Sequence, residues 1–596
     1  MRSEHSTQIG TNKPRSHFHS IMAPTAKEYP SKVFLHTPLF RDDGTTEQYT
    51  VKQQIERSYA RAILVARAYK FALSDILEMS DKLWDLHADP IVSMDGAVTT
   101  MLSIHYNLVI GMIGPLLPAQ PKLAPLIKKL LDFEIIGQCM LTEIEHGLDS
   151  RQIETTATLL PDGSIDLHTP HPGAAKYMPS VTTISGMPTI GLVFSRLIVN
   201  GRFHGIRPVI ASLTDGKGMC KGVSSRMVPP RSGAKPLDHS ITTFDHVRLP
   251  PGSVIGSLEQ SVDIRGDFLK SIWRISTGGL ALSITTIPFL RVGVYVAGKY
   301  SFRRMVSGGD KGSSKMPIIN FRTQQLPILH GLAQIHVLDA FSKVVIPKFR
   351  DTGVNMFVRH GISTIFKATA HQHCQSTLFL LAERCGAQGL FGYNQIVRGQ
   401  ADMRGACIAE GDILTISIRL VSELLQGKYN LPAARYPDCL LHKHEQGLWL
   451  EAKTRYSQLS GAHRSEEFNI ALLPLCRPLV EFIGHRMAYE AAMDLGVDPA
   501  LVQLYEAGAI KLDSGWYVES GLLSRSKQYE LENTAANKVL PDLNRYLDLL
   551  GVEDYVTSPI LSESKWNEFV SGLAYYAGNS EPLQELWGGL SASAKL

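Results

Sequence analysis

Two hydrophobic periodicities alternate along this chain, and their order limits the fold more than any other feature. From about residue 45 to 135 apolar residues recur at helical spacing, and the run YTVKQQIERSYARAILVARAYKFALSDILEMSDKLWDLH contains neither Gly nor Pro. From 137 to about 254 the texture changes to short β-prone runs around turn signals. ETTATLL and SIDLHT flank Pro-Asp-Gly, and TIGLVFSRLIVNGRFHGIRPVIASLTD carries Asn-Gly at its centre, so both read as hairpins. ITTFDHVRLP reads as one further strand. From about Phe268 helical spacing returns in ILHGLAQIHVLDAFSKVVIPKF, QSTLFLLAERCG and DILTISIRLVSELLQG, with Gly closing two of them. Two prolines in YNLPAARYPDC (429–439) separate a last helical region, where FNIALLPLCRPLVEFIGHRMAYEAAMDLG and NKVLPDLNRYLDLLG look like bundle helices.

This order predicts a mainly α protein with a central β domain. The expected divisions are a flexible tail over 1–30, N-terminal helices over 31–135, a β domain over 136–265, a helical bundle over 266–430 and a second helical domain over 431–596. The chain length, 596 residues, agrees with roughly four units at about 150 residues each. With 60 basic and 56 acidic residues the net charge is only +4, which argues against a nucleic-acid binder. Seven cysteines, none in a CxxC pair, predict reduced thiols and an intracellular compartment. The polar, basic, Ser-rich first twenty residues lack a secretory core and are compatible with a transit peptide, but a frayed tail is the preferred reading.

The most apolar long stretch, residues 275–298, contains Arg291, Pro288 and many Ser, Thr and Gly. A buried helix is expected there rather than a transmembrane segment. SGGDKGSSK (307–315) is expected to be a flexible connector; it lacks the residue order of a phosphate-binding loop. His371-Gln372-His373-Cys374 is not expected to bind metal, because helix positions two apart face different ways. Ser-rich patches with nearby His lack a GxSxG elbow, so a hydrolase has no support. Ala594-Lys595-Leu596 has the small–basic–Leu form of the peroxisomal import tripeptide and predicts a peroxisomal protein that meets an import receptor there.

Three segments interrupt well-formed hydrophobic patterns with small or charged residues. They are GQCMLTEIEHG (137–147) followed by Ile153-Glu154-Thr155-Thr156-Ala157, then Glu383-Arg384-Cys385-Gly386-Ala387-Gln388-Gly389-Leu390-Phe391, and then Ile408-Ala409-Glu410-Gly411-Asp412 just before a helix. In this order, with the helix–β–helix layout, they resemble the acyl-CoA oxidase branch of the acyl-CoA dehydrogenase family. That family's patterns run roughly TELGHG…LETTA, CGGxG and EGDN. The resemblance covers nearly all of the chain after the tail, and LYEAGAIKLDSGWY (504–517) resembles the second bundle that marks the oxidase branch.

The resemblance implies N-terminal helices, a β-barrel-like domain, two C-terminal bundles and FAD held between the β domain and the first bundle. It also implies oxidation of an acyl-CoA thioester to the trans-2-enoyl-CoA. Glu410 then takes the α-proton, the β-hydride passes to flavin N5, and molecular oxygen reoxidises the flavin with release of hydrogen peroxide. A base in a rigid turn over an apolar slot suits this chemistry, because burial raises a carboxyl pKa toward neutrality. The thioester oxygen also needs hydrogen-bond donors, which in the family are this glutamate's backbone N–H and a ribityl hydroxyl. The plainer reading of Glu410 and Asp412 is that acidic residues favour a helix N-terminus.

By the same resemblance Thr142 and Ser180 meet the flavin, and Arg304 reaches the FAD pyrophosphate, usually that of a neighbouring subunit in a homodimer. Arg303 is an equal candidate for that phosphate. Gln324, or its neighbour Gln325, occupies the matching glutamine region. Gly386 and Gly389 let backbone approach the cofactor, or else form a helix cap.

Four departures alter the expected pocket wall. Glu145 stands where the family has Gly, Lys176-Tyr177-Met178-Pro179-Ser180 stands for the Trp-Trp-Pro-Gly region, Ile413 replaces the Asn of EGDN, and Gly386-Ala387-Gln388-Gly389-Leu390 replaces GGHGY. They predict a flavoenzyme with a specialised acyl substrate, and they look similar to those of relatives in fungal toxin clusters. Two alternatives stand beside this reading. One is a dehydrogenase that passes electrons to another flavoprotein; the other is a non-catalytic acyl-CoA-binding homologue.

Overall fold

The computed structural model describes residues 27–41, 45–308, 314–461, 465–578 and 580. Most of the expected tail and the Ala594-Lys595-Leu596 ending lie outside them. The first long helix, α1 (Val51–Tyr69), starts at a capping box: Gln53 N–H donates to Thr50 Oγ1 at 3.3 Å, and Thr50 N–H donates back to Gln53 Oε1 at 3.0 Å. The helical run predicted from 45 onward is then cut into α1, α2 (Leu73–Leu77) and α3 (Asp81–Ala88). Lys70 and Met79 take left-handed φ values of 44° and 53°, and neither residue type signals a break. Next, α4 (Gly96–Leu102) runs into a π-helical stretch, Ser103–Ile110, and α5 (Ala124–Leu131) leads to the β domain.

The β domain contains β1 (Ile136–Met140), β2 (Thr156–Leu159), β3 (Ile165–His168), β4 (Lys176–Ser180), β5 (Pro188–Val199), β6 (Arg202–Asp215), β7 (Val223–Met227), β8 (His239–Phe244) and β9 (Val247–Leu249). Both predicted hairpins form: β2 pairs antiparallel with β3, and β5 with β6 across Asn200-Gly201, both at positive φ as a tight two-residue turn requires. The single strand expected in ITTFDHVRLP is instead two. His246 at φ 48° breaks it, sending β8 to a sheet with β4 and β7 and β9 to the sheet edge beside β3.

The long strand β5 organises the domain. β6 pairs along one of its edges, while β1 and β2 lie end to end, both parallel, along the other. Residues 141–155 join β1 to β2 and so leave the sheet as a loop, and this loop holds Thr142.

The central bundle is α6 (Trp273–Ile284), α7 (Thr286–Arg303), α8 (Arg322–Arg350), α9 (Met356–Arg384), α10 (Ile396–Ile408) and α11 (Ile413–Leu425). By length and apolar composition two stretches, Gly96–Leu116 and Ile264–Arg303, would suffice to cross a membrane, but 83% and 94% of their apolar windows are buried inside the fold. The second includes the apolar stretch 275–298, which is core. Of the expected connector at 307–315, residues 309–313 lie outside the described residues, and its flanks pair as β10 (Met305–Gly308) with β11 (Ser314–Pro317).

Helices α12 (Leu440–Ser457), α13 (Leu473–Asp494), α14 (Pro499–Leu512), α15 (Arg525–Val539) and α16 (Leu543–Leu549) form the last region. It is not a separate bead. α13 packs on both α8 and α9, so closely that a Cβ on Gly484 would fall 1.8 Å from Thr369 Oγ1. One hydrophobic core runs through the N-terminal helices and both bundles, and a smaller one fills the β domain.

Candidate active site

Glu410 lies in the short link between α10 and α11, and two glycines decide where it can go. Its carboxylate occupies the place of a side chain on α6: a Cβ on Gly278 would fall 1.3 Å from Glu410 Oε2, and one on Gly279 would fall 3.0 Å from the Glu410 carbonyl oxygen. Glu410 itself adopts φ 53°, a left-handed conformation that costs a non-glycine residue about 1 kcal/mol and needs support from its surroundings. Lys367 of α9 supplies it, donating to the Ala409 and Gly411 carbonyls at 2.5 and 2.7 Å. Asn107, on the π-helical stretch, donates through Nδ2 to the Arg274 carbonyl at 2.9 Å and to Glu410 Oε2 at 3.4 Å. Arg274 in turn donates to the carbonyls of Asn107 and Ile76.

Burial drives the electrostatics here. It raises the Glu410 carboxyl from 4.5 to about 8, against the pull of Lys367 and Arg274 and the Asn107 hydrogen bond. It lowers Lys367 to about 8 and Arg274 to about 10, Glu410 opposing both shifts. Asp412 behaves differently from Glu410. Its Oδ1 accepts from the Thr415 N–H at 3.1 Å, an ordinary N-cap of α11. The helix-terminus reading therefore describes Asp412 and leaves Glu410 free of it. Among the described backbone hydrogen bonds, none takes the Glu410 N–H.

A buried rivet ties the loop that carries Thr142 to β4, the strand that ends at Ser180. Lys176 of β4 donates to Glu143 at 2.9 Å and to the Phe194 carbonyl at 2.7 Å, with both side chains of the ion pair fully buried. Glu143 also accepts from the N–H groups of Glu154 and Thr155 and from the Thr155 hydroxyl, so the end of the 141–155 loop is pinned to its start. The Thr142 carbonyl accepts from Tyr177 N–H at 3.0 Å. A bulge between Tyr177 and Ser180 interrupts β4, where Tyr177 and Met178 stand exposed and Ser180 is buried. Burial, and after it the Glu410 charge, push up the thiol of Cys139, three residues before Thr142.

Arg304, Gln324 and Gly386 gather elsewhere, at the far end of the bundle. Gln324 Nε2 donates to Ser301 Oγ and to the Arg384 carbonyl, joining the ends of α7, α8 and α9. Gln325 is likewise committed, to the Ile319 carbonyl. Arg303 is held by the Ile560 carbonyl at 2.9 Å, whereas Arg304 is exposed and directed to no acceptor among the described residues. Gly386 has φ 58° and open space around it. Gly389 does not: a Cβ there would fall 1.9 Å from the Ala382 carbonyl oxygen, so its cap role alone demands glycine. Lys367 and Arg384 lie on one helix about 25 Å apart at 1.5 Å per residue. A single chain therefore does not bring Glu410 and Arg304 to one point.

Gly278, Gly279, Lys367 and Asn107 were not selected by the sequence reasoning. Each carried a signal, a glycine pair or one polar side chain inside an otherwise apolar run. The departure Glu145 is exposed on the 141–155 loop and lies with Glu154 and His171 in a cluster of ligand-type atoms within 4.8 Å; His168, Asp245 and His246 form another. At 371–374 the side chains diverge, His373 to the Tyr505 hydroxyl and Gln372 to Glu481. Ile413 is buried at the start of α11.

Comparison with known proteins agrees with this geometry. The family profile of the acyl-CoA oxidase C-alpha1 domain matches residues 281–425, the segment that ends with the Glu410 turn and α11. Human peroxisomal acyl-coenzyme A oxidase 3 is 26% identical over 313 residues, covering 48% of this chain and 44% of that protein, so the chain spans less than half the length of this curated relative. Among solved structures, an acyl-CoA oxidase 1 from Yarrowia lipolytica superposes with a TM-score of 0.79 at 17% identity, covering 95% of this chain and 92% of that one. An acyl-CoA oxidase-2 of Caenorhabditis elegans, solved with FAD, ascaroside-CoA and ATP, gives 0.78 at 16% identity over 95% and 93% of the two chains. The fold is that of the acyl-CoA oxidases, and residues 281–425 match the C-alpha1 domain of that family.

Proposed function

We propose that this protein is an FAD-dependent acyl-CoA oxidase that converts an acyl-CoA to the trans-2-enoyl-CoA, with Glu410 as the base. The observation that carries this reading is the glycine cradle. A carboxylate held against Gly278 in a left-handed turn, whose flanking carbonyls a buried ammonium clamps and beside which an amide donates, has little freedom to move. Removal of the α-proton puts that proton on Glu410. A carboxyl raised to about 8 accepts it readily once ionised, which suits a base working near neutral pH. The backbone N–H of Glu410, which has no acceptor among the described backbone hydrogen bonds, is free to meet the thioester oxygen and stabilise the developing enolate.

Bound FAD would supply the acceptor for the β-hydride, and oxygen would regenerate it with release of hydrogen peroxide. The residues present fit such a group. Thr142, the interrupted strand at Tyr177 and Met178, and Ser180 offer an apolar face with polar edges for a flat ring. Arg304 has an unengaged guanidinium suited to paired phosphate oxygens. Because Arg304 and Gly386 lie so far from Glu410, they would serve the cofactor of a second copy, which supports a homodimer. The solved relative with FAD and ascaroside-CoA supports both the cofactor and a CoA thioester as substrate. Relatives named peroxisomal support the peroxisome, with Ala594-Lys595-Leu596 as the segment an import receptor would read.

The departures at Glu145, Ser180 and Ile413 favour a specialised acyl group, and a role in secondary metabolism follows from the same resemblance. The test is a screen of the purified yellow protein with butanoyl-, hexadecanoyl-, 2-methyl-branched and ω-hydroxylated acyl-CoAs. Anaerobic bleaching of the flavin, and peroxide formation in air without another acceptor, are expected. Bleaching without peroxide, but with full turnover on an artificial acceptor, would make it a dehydrogenase. No bleaching with any of them would leave a binding protein.

A further inference from the structure

We propose that Lys367 is a positioning residue for the proton-abstracting carboxylate: it clamps both carbonyls flanking Glu410 and supplies the positive charge that keeps that carboxylate ionisable. The inference rests on the reading of Glu410 as the base. Lys367 is 1% exposed in the middle of α9, where a lone ammonium would be expensive to bury. Its compensation comes from one place. The Ala409 and Gly411 carbonyls accept from it at 2.5 and 2.7 Å, and Glu410, the residue between them, opposes the loss of its charge.

Arg274 shares the electrostatic pull on Glu410, but the other polar groups around it do not hold the backbone of its turn. Arg274 on α6 is engaged by the Asn107 and Ile76 carbonyls. Asn107 on the π-helical stretch is neutral. Cys139 on β1 and Cys407 on α10 are thiols whose ionisation burial opposes. Asp412 is negative and caps α11. Among the described residues, only Lys367 combines a positive charge with direct hold on the backbone of the turn.

Geometry and charge act together. Without the two hydrogen bonds, nothing else among the described contacts ties residues 409 and 411 to α9, and the strained φ at Glu410 could relax out of the Gly278 cradle. Without the charge, the buried carboxyl keeps its proton to a higher pH and is ionised in a smaller fraction of molecules near neutrality. A purely structural lysine would do the first and not the second.

The experiment separates these roles in the full chain. Infrared titration of the protein without substrate follows the protonated-carboxyl band that is missing in Glu410→Gln. Lys367→Met is expected to raise the Glu410 midpoint by about one pH unit. It should also slow anaerobic flavin reduction about tenfold at pH 7, a loss that shrinks as the pH rises. The substrate is whichever of the four acyl-CoAs named above reduces the wild-type flavin fastest. Lys367→Arg should keep the wild-type midpoint. Should Lys367→Met fail to fold, Lys367→Gln, which keeps a donor but not the charge, should show the same shift. An unchanged midpoint with a uniform loss of rate at every pH would overturn the proposal. Wild-type protein that no acyl-CoA bleaches would instead defeat the reading of Glu410, whatever the midpoints show.

Discussion

The middle and the C-terminal end of helix α9 hold their functional side chains in opposite ways. At its middle, around Lys367, the Glu410 turn is over-determined: two glycines on α6 leave room for it, Lys367 clamps it and Asn107 donates to it. At its C-terminal end Gly386 faces open space and Arg304 is exposed, while their neighbours Gln324, Arg303 and Gly389 are committed to holding the chain together. The difference teaches which half of the site the chain completes for itself. On our reading the proposed base is fully built by one copy, and the proposed phosphate end stays unfinished until the cofactor of a second copy covers it.

Breaking the over-determined half should have the largest effect. Gly278→Ala puts a methyl group 1.3 Å from where Glu410 Oε2 sits, so the carboxylate must leave. A rate loss of about a thousandfold in flavin reduction is expected, as for losing a general base, with the flavin still bound. Wild-type rates in that variant would mean the cradle does not position the base.

At the other end of α9, two glycines three residues apart should respond differently. Gly389→Ala collides with backbone and should destabilise the protein by about 3 kcal/mol in denaturant titration. Gly386→Ala has space and only an unfavourable φ of 58°, which should cost about 1 kcal/mol. Equal losses would show that contact with the Ala382 carbonyl is not what demands glycine at 389.

The third contrast is a pH dependence. The Glu410 carboxyl is raised in the folded protein from 4.5 to about 8. Its contribution to stability is therefore full below pH 4.5 and is lost as the pH rises toward 8. Glu410→Gln should accordingly be more stable than wild type at pH 8, by about 2 kcal/mol after allowing for partial solvent screening, and no different at pH 4. Denaturant titrations at the two pH values check it, and an advantage present only at pH 4 would reverse the sign and refute it.

The smallest effect falls on the open end. Arg304→Gln should weaken flavin retention about tenfold without changing the melting temperature. Arg303→Gln, which loses its bond to the Ile560 carbonyl, should lower the melting temperature and keep the flavin.

Much of this was legible in the sequence, and the reasons are local. Period-two runs around Pro-Asp-Gly and Asn-Gly announced both hairpins, because those turn residues carry their own conformational demand. The breaks at Lys70, Met79 and His246 were not legible, since each depends on tertiary contacts that hold an ordinary residue at positive φ. Glu410 stood out through its small neighbours. Its supports were hidden because Lys367, Asn107 and Gly278 lie far from it in sequence and meet it only once three helical segments pack. What separates Arg303 from Arg304 was not legible either, since it depends on the fold bringing Ile560 back from the C-terminal region to take Arg303.

The central claim is that Glu410, held in its glycine cradle, removes the α-proton of an acyl-CoA. It is tested most directly by mixing flavin-loaded wild-type and Glu410→Gln proteins anaerobically with the best acyl-CoA of the screen and following the flavin colour. The account predicts that the wild-type flavin bleaches, while the variant binds the same thioester and stays yellow. A Glu410→Gln protein that bleaches at the wild-type rate would contradict it.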